Sequence, residues 1–333
     1  MKAAVFHGAR DVRFEEVAAP ELDEGDALIR VRACGICGSD LHTYREGLFT
    51  DLGLPTAAGP ILGHEFAGEI AAINGRIEGV NVGDRVTVPG LGANAEYVKI
   101  PAAAARFLQP INDGVSFAEA ATTEPLATSL HAVNLAEVRE DETVVIMGAG
   151  IIGLGILQCI KARSAARTIV VDLSAKRLAL AAKLGADETL NAHDGSVEER
   201  LMAHAGAAGE LLDAPQGVAD VVFDCVGATR NFEGVSVLEQ ALTMVKPNGK
   251  VVVVAVFERS LEIDPNLIVR KGVRLLGSWA WRAQEFVDAL ALISSGKVDR
   301  RLLISHEFPL EQAAEAYATQ ASADAAIKVM LVP

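Results

Sequence analysis

The chain has 333 residues, half of them hydrophobic, and a formal charge of −14 at pH 7. That length supports a substantial core and about two domains. The acidity, with no basic block, argues against a nucleic acid or an anionic membrane surface as a partner.

The start, Met1-Lys2-Ala3-Ala4-Val5-Phe6-His7, lacks the long apolar region of a secretory leader. The apolar stretch Val144 to Ile160 is interrupted by glycines, and Val251 to Phe257 is too short to span a bilayer. Four cysteines, Cys34, Cys37, Cys159 and Cys225, are too sparse for a disulfide framework. A cytoplasmic protein is expected.

Short Val- and Ile-rich runs at Lys2 to Phe6, Ala27 to Ala33, Glu69 to Ile73, Arg85 to Val88 and Glu96 to Ile100 predict a β-rich first part, punctuated by Gly, Asp and Pro. After about residue 115 short apolar strands alternate with helix-length segments. The predicted order is strand Thr143 to Met147, helix Ile151 to Ala162, strand Thr168 to Val171, helix Ser174 to Leu184, strand Val218 to Phe223, helix Phe232 to Met244 and strand Lys250 to Val256. These strands are apolar throughout, as expected where both faces of a parallel sheet are covered. The alternation predicts an α/β doubly wound domain. Two helices, Gln284 to Ser294 and Leu310 to Gln320, and a strand from Val329 to Val332 complete the chain.

Gly148-Ala149-Gly150-Ile151-Ile152-Gly153 joins the first of those strands to its helix, and Asp172 ends the next strand. Gly148 permits the turn, Gly150 admits a pyrophosphate to the backbone, and Gly153 lets helix and strand pack. The helix N-terminus formed by Ile151 and Ile152 then faces the phosphates. Asp172 suits the ribose hydroxyls of NAD and repels the 2′-phosphate of NADP, while Lys176 and Arg177 soften that preference.

Cys37, His64 and Glu65 offer a thiolate, an imidazole and a carboxylate. Such mixed ligation suits Zn²⁺, and three protein ligands leave a position open for chemistry. Glu124, in Thr123-Glu124-Pro125-Leu126, is a fourth candidate, either as a ligand or as the holder of a zinc-bound water. Cys34 completes a CxxC with Cys37, but no second Cys or His pair lies nearby for a structural site, and Cys34 reads as packing. Ser39 and His42 form a proton path from substrate oxygen to solvent, and Asp40 orients His64. Ser39 or Asp40 capping a helix toward Tyr44 is the plainer alternative, and both roles can coexist.

These residues resemble the zinc-dependent medium-chain alcohol and polyol dehydrogenases. The likeness runs through Gly35 to His42, Gly63 to Gly68, Val82 to Val86, Ala95 to Val98, Glu124 to Leu126, the glycine turn and Gly277-Ser278, and so covers nearly the whole chain. It implies a GroES-like β-rich catalytic domain from residues 1–123 and 276–333 and a doubly wound Rossmann domain from residues 124–275. It also implies one catalytic zinc in the cleft and a homo-dimer or homo-tetramer.

Glu124-Pro125-Leu126 with Leu130-His131 is similar to the sorbitol, butanediol and threonine dehydrogenase branch. The segment from Gly277 to Arg282 is most like the butanediol type. Only Thr87 to Asn94 stands where most relatives carry a four-cysteine lobe, so no structural zinc is expected.

The reaction implied is hydride transfer between a secondary alcohol or polyol and NAD, reversible to the ketone. An L-threonine or amino-alcohol dehydrogenase is the alternative and would need a carboxylate clamp, for which Arg45 and Arg282 are candidates. A non-catalytic nucleotide-binding protein is the remaining reading, distinguished by its metal content. Tyr44, Phe49, Trp279 and Trp281 are candidate pocket walls.

Overall fold

The computed structural model describes residues 1–47, 61–205, 217–228, 234–322 and 326–333. Two compact units divide it: Met1–Pro125 with Ala283–Pro333, and Leu126–Arg282.

In the first unit, β1 (Lys2–Gly8) and β2 (Asp11–Glu16) form an antiparallel hairpin. They are followed by β3 (Ala27–Gly35), α1 (Gly38–Glu46), β4 (Glu65–Ile73), β5 (Arg85–Thr87), β6 (Tyr97–Ile100), α2 (Ala102–Ala105), β7 (Gln109–Pro110) and α3 (Phe117–Ala121). The boundary falls inside α4 (Thr123–Ala136).

The second unit continues with β8 (Thr143–Met147), α5 (Ile151–Arg163), β9 (Arg167–Asp172), α6 (Ala175–Lys183), β10 (Glu188–Asn191), α7 (Val197–Ala205), β11 (Ala219–Asp224), α8 (Val237–Met244), β12 (Val245–Val253), α9 (Asn266–Lys271) and β13 (Arg274–Gly277). The chain re-enters the first unit as α10 (Ala283–Ser294), β14 (Ile304–Pro309), α11 (Ala313–Ala321) and β15 (Lys328–Val332).

The first unit is built on a seven-stranded sheet ordered β14-β15-β3-β4-β5-β7, with β6 also pairing β3. In β3, Ala27, Ile29 and Val31 are buried and alternate with more exposed residues, the period-2 pattern of a strand with one face on the core. Those residues pack with Phe66, Ile70, Val86 and Ile100. A second cluster sets Ile36, Leu41 and Leu62 against Tyr317, Val329 and Leu331. The last strand therefore lies against the segments that flank Cys37 and His64.

The second unit holds six parallel strands ordered β10-β9-β8-β11-β12-β13. Its core collects Val145, Val171, Val222, Leu242 and Val251. Burying each such side chain contributes about 1.5–3 kcal/mol. The strand order reverses between β8 and β11, where a doubly wound sheet opens a crevice beyond its strand ends. The turn after β8 stands at that point.

Several element boundaries differ from the sequence reading. Ser174 is the N-cap of α6 rather than its first residue, its hydroxyl accepting from the N–H of Arg177. The helix predicted over Phe232 to Met244 occupies Val237–Met244, capped by Ser236, whose side chain accepts from Glu239 N–H; residues 232 and 233 lie outside the described residues. The strand predicted from Lys250 begins earlier, at Val245. Gly277 ends β13, so the return to the first unit comes after it, at Ala283.

Candidate metal centre and cofactor turn

Strand register brings the metal-ligand candidates together. β3 and β4 pair antiparallel with Gly35 opposite Glu65 and Cys34 opposite Phe66. Cys37 leaves one strand where His64 and Glu65 enter the other. The ligand atoms of Cys37, His64 and Glu65 all lie within 4.8 Å of one another. Glu65 is fully buried, and His64 and Cys37 are partly so.

Gly35 is what admits the carboxylate, because a β-carbon there would stand 2.4 Å from Glu65 Oε2. Glu65 Oε2 accepts from Lys328 Nζ at 2.5 Å, and the same ammonium donates to Ile36 O at 2.8 Å. Glu65 Oε1 is buried with no hydrogen-bond partner. A solvent-excluded carboxylate oxygen without a donor is costly unless a cation takes it. That orphan oxygen, beside a sulfur and a nitrogen, fits a zinc ion.

Cys37 is the N-cap of α1, and Asp40 Oδ2 accepts from its backbone N–H at 2.9 Å. Neither Ser39 nor Asp40 is the N-cap; Asp40 instead closes the first turn from the third helical position. Its other oxygen, Oδ1, stands 3.6 Å from His64 Nδ1, an ion-pair separation longer than a hydrogen bond. The orienting role read for Asp40 is therefore geometrically available.

Burial opposes the imidazolium of His64, yet the Asp40 carboxylate and the Cys37 sulfur outweigh it and hold its pKa well above the ordinary value. Burial likewise opposes the Asp40 charge, while His64, the Cys37 N–H and Lys328 bring that carboxyl below its usual range. Burial pushes the Cys34 thiol well up, in keeping with a packing role. Ser39 and His42 are both half-buried on α1; three residues apart, they lie on one face of the helix.

Glu124 sits in the first turn of α4, outside the set of ligand atoms that lie within 4.8 Å of one another. Lys328 is the residue that sequence reasoning missed. A lone lysine opening an apolar terminal run, Lys328–Val332, was the available signal. Arg45 donates to Ala321 O at 2.6 Å, so one of the two candidate carboxylate clamps is engaged in holding the end of α11. Phe49 lies outside the described residues.

In the second unit Gly148 takes φ +98°, a conformation that favours glycine. A β-carbon on Gly153 would lie 1.8 Å from Gly148 O, so only glycine lets α5 sit this close to the turn. Gly150 is the N-cap of α5, and a β-carbon there would meet open space. Ile151 and Ile152 begin the helix half-buried. Asp172 Oδ2 accepts from Ala149 N–H at 2.6 Å and Oδ1 from Ser174 N–H at 2.8 Å. The carboxylate, at the end of β9, thus fastens the glycine turn. Arg177 lies half-buried in the first turn of α6.

Comparison with known proteins gives two matching domains. Residues 23–112 match the alcohol dehydrogenase GroES-like domain, and residues 152–295 match the zinc-binding dehydrogenase domain. The erythritol/L-threitol dehydrogenase of Mycolicibacterium smegmatis is 32% identical over 375 residues, covering 100% of this chain and 98% of that one. The chain belongs to the zinc-type medium-chain dehydrogenases, in the polyol dehydrogenase branch.

This medium-chain dehydrogenase is also 30% identical to sorbitol dehydrogenase of Bacillus subtilis, over 95% of this chain and 92% of the relative. Among solved structures, 2R,3R-butanediol dehydrogenase from Bacillus subtilis superposes with a TM-score of 0.84 at 28% identity, covering 100% and 99% of the two chains. A zinc-binding dehydrogenase from Sinorhizobium meliloti, bound to NADP, gives 0.83 at 27% identity, again over 100% and 99%. The family's chemistry is oxidoreduction with zinc and a nicotinamide cofactor. No helix among the described residues is long and apolar enough to cross a membrane.

Proposed function

We propose that this dehydrogenase interconverts a secondary alcohol or polyol with its ketone, using one catalytic zinc per chain and NAD. The observation that carries the proposal is the convergence of Cys37, His64 and Glu65 within 4.8 Å around a buried carboxylate oxygen that has no donor. A bound zinc supplies a Lewis acid for the substrate oxygen, and a bound nicotinamide supplies the hydride acceptor.

The protein's own part is positional. Cys37, His64 and Glu65 would hold the ion, Lys328 keeps Glu65 in place, and Asp40 faces the ring of His64. Ser39 and His42 would carry the substrate proton along α1. Gly148, Gly150 and Gly153 shape the turn for a pyrophosphate, whose charge the N-terminus at Ile151 and Ile152 would meet. The carboxylate of Asp172, fixed by two backbone N–H groups, would accept from ribose hydroxyls and disfavour a 2′-phosphate. Arg177 would border the ribose. Glu124 would join Cys37, His64 and Glu65, as a further ligand or through a zinc-bound water.

The relatives named for sorbitol, butanediol and erythritol support a polyol or diol substrate over an amino alcohol. The short Thr87 to Asn94 connection supports the absence of a structural zinc. One zinc per chain by metal analysis, and faster turnover of a polyol panel with NAD than with NADP, are the expected results. Cys37→Ser or His64→Ala should abolish turnover while NADH binding by fluorescence persists. Full activity in a metal-free His64→Ala preparation would refute the reading. A homo-dimer or homo-tetramer is proposed too, since no described strand pairs the outer edge of β13 and Leu275 is exposed there. A particle of 35.0 kDa by light scattering, the mass of one chain, would count against it.

A further inference from the structure

The first unit contains a buried polar pair that the proposed reaction does not use. Asn94 and Tyr317 are both fully buried, and Asn94 Nδ2 donates to the Tyr317 hydroxyl at 2.8 Å. Tyr317 sits within an otherwise apolar cluster with Ile36, Leu41 and Leu62. A phenylalanine at 317 with an apolar residue at 94 would fill that volume without the cost of burying a hydroxyl and an amide.

The pair touches the segments that carry Cys37 and His64. Asn94 N–H donates to Leu62 O at 2.9 Å and Ala93 N–H to Gly63 O at 3.1 Å, so residues 93 and 94 pin the backbone directly before His64. Gly63 has φ +95°, and a β-carbon there would lie 2.4 Å from Asn94 Oδ1 and 2.8 Å from Cys34 Sγ. The amide therefore fills the space over Gly63, beside the cysteine three residues ahead of Cys37. On its other side the Tyr317 ring meets that of Tyr44 on α1, with centroids 5.2 Å apart.

Asn94 Oδ1 is buried without a hydrogen-bond partner. Turning the amide over would give that oxygen to the Tyr317 hydroxyl and direct the NH₂ group at Gly63 and Cys34. Either orientation keeps the link between the two residues.

We infer that Asn94 and Tyr317 are positioning residues, a buried bracket that holds the His64 segment and α1 at the spacing a metal ion requires. The inference rests on the zinc site proposed above. Neither residue belongs to the ligand set; together they set how far apart Cys37 and His64 stand.

The test measures zinc affinity of the full-length chain by competition with a chromophoric chelator, beside the melting temperature of the metal-free protein. Tyr317→Phe removes only the hydroxyl, and Asn94→Ala removes only the amide. Each should weaken zinc binding about tenfold or more, as loss of a supporting partner around a metal site does. The double variant should bind no more weakly than the worse single, because the two act as one unit. The Co²⁺-substituted visible spectrum should shift in both singles. The metal-free variants should still unfold cooperatively, melting several degrees lower because each leaves one buried polar partner unpaired.

Wild-type zinc affinity in both single variants, with His64→Ala losing the metal, overturns the bracket and leaves the zinc site standing. Affinity losses that merely follow a collapse of the metal-free fold also overturn it. A wild-type chain that takes up no zinc overturns both readings.

Discussion

Lys328 shows how one side chain can decide the state of a site far away in sequence. Its ammonium is 1% exposed, and it faces a carboxylate that is fully buried. Burial opposes the charge on Lys328, but Glu65, Cys37 and Asp40 together raise its pKa. An ion pair this deep contributes little beyond an apolar pair, yet breaking it leaves a buried charge unmatched. Lys328→Met should therefore lower the unfolding free energy of the metal-free protein by about 3 kcal/mol in a urea titration. Added zinc should restore part of the loss by giving Glu65 a cation. Equal stability of the variant and wild type would mean that the Lys328–Glu65 pair contributes nothing to the stability of the metal-free fold.

Among elements, the turn between β8 and α5 is the most constrained. Gly153 meets the backbone oxygen of Gly148, which no rotamer change can move aside. Gly153→Ala must push α5 away from β8 and disturb the Ala149 N–H that Asp172 accepts. NADH affinity should fall at least tenfold in a fluorescence titration, while zinc binding in the other unit stays at wild type. An unchanged affinity would show that the turn relaxes without losing its phosphate-facing geometry. Legibility at this scale follows from locality: strand, glycines, helix and acid all lie between Thr143 and Asp172, and β8 pairs directly with β9. The metal centre was legible only as a set of residue types, because β3 and β4 had to pair in one register to assemble it. The boundaries that shifted, at Ser174, Ser236 and Val245, lie where capping or strand pairing decides the end of an element rather than apolar periodicity.

For the whole molecule, a charge of −14 coexists with carboxylates that the fold holds ionised. Asp187 is the clearest case in the second unit. Burial opposes its charge, but the Lys161 ammonium and the N–H and hydroxyl of Thr168 lower its pKa. Asp40 and Asp299 are lowered as well. A depressed carboxyl contributes stability that is present above its unfolded pKa, about 4, and is lost as pH falls through the folded value. Thermal stability should thus decline progressively below about pH 4. Asp187→Asn should flatten that decline modestly, because the side chain is 45% exposed and its pairing is screened by solvent. An identical pH profile for the variant would remove Asp187 from the account.

The sequence by itself determined the two architectures, the glycine turn with its acid, and the donor types of the metal site. Those signals are local: apolar periodicity, residues that only certain turns accept, and short runs of metal-binding side chains. Tertiary structure alone decided that Cys37, His64 and Glu65 meet, and that Cys37 caps α1. It also decided that the last strand delivers Lys328 to Glu65, and that Asn94 and Tyr317 join behind the site. Most of these depend on segments well separated in the chain meeting in one unit, as the last strand meets Glu65 and α11 meets Asn94. Proximity of that kind is paid for by the packing of the whole unit and leaves no periodic trace in the residues themselves.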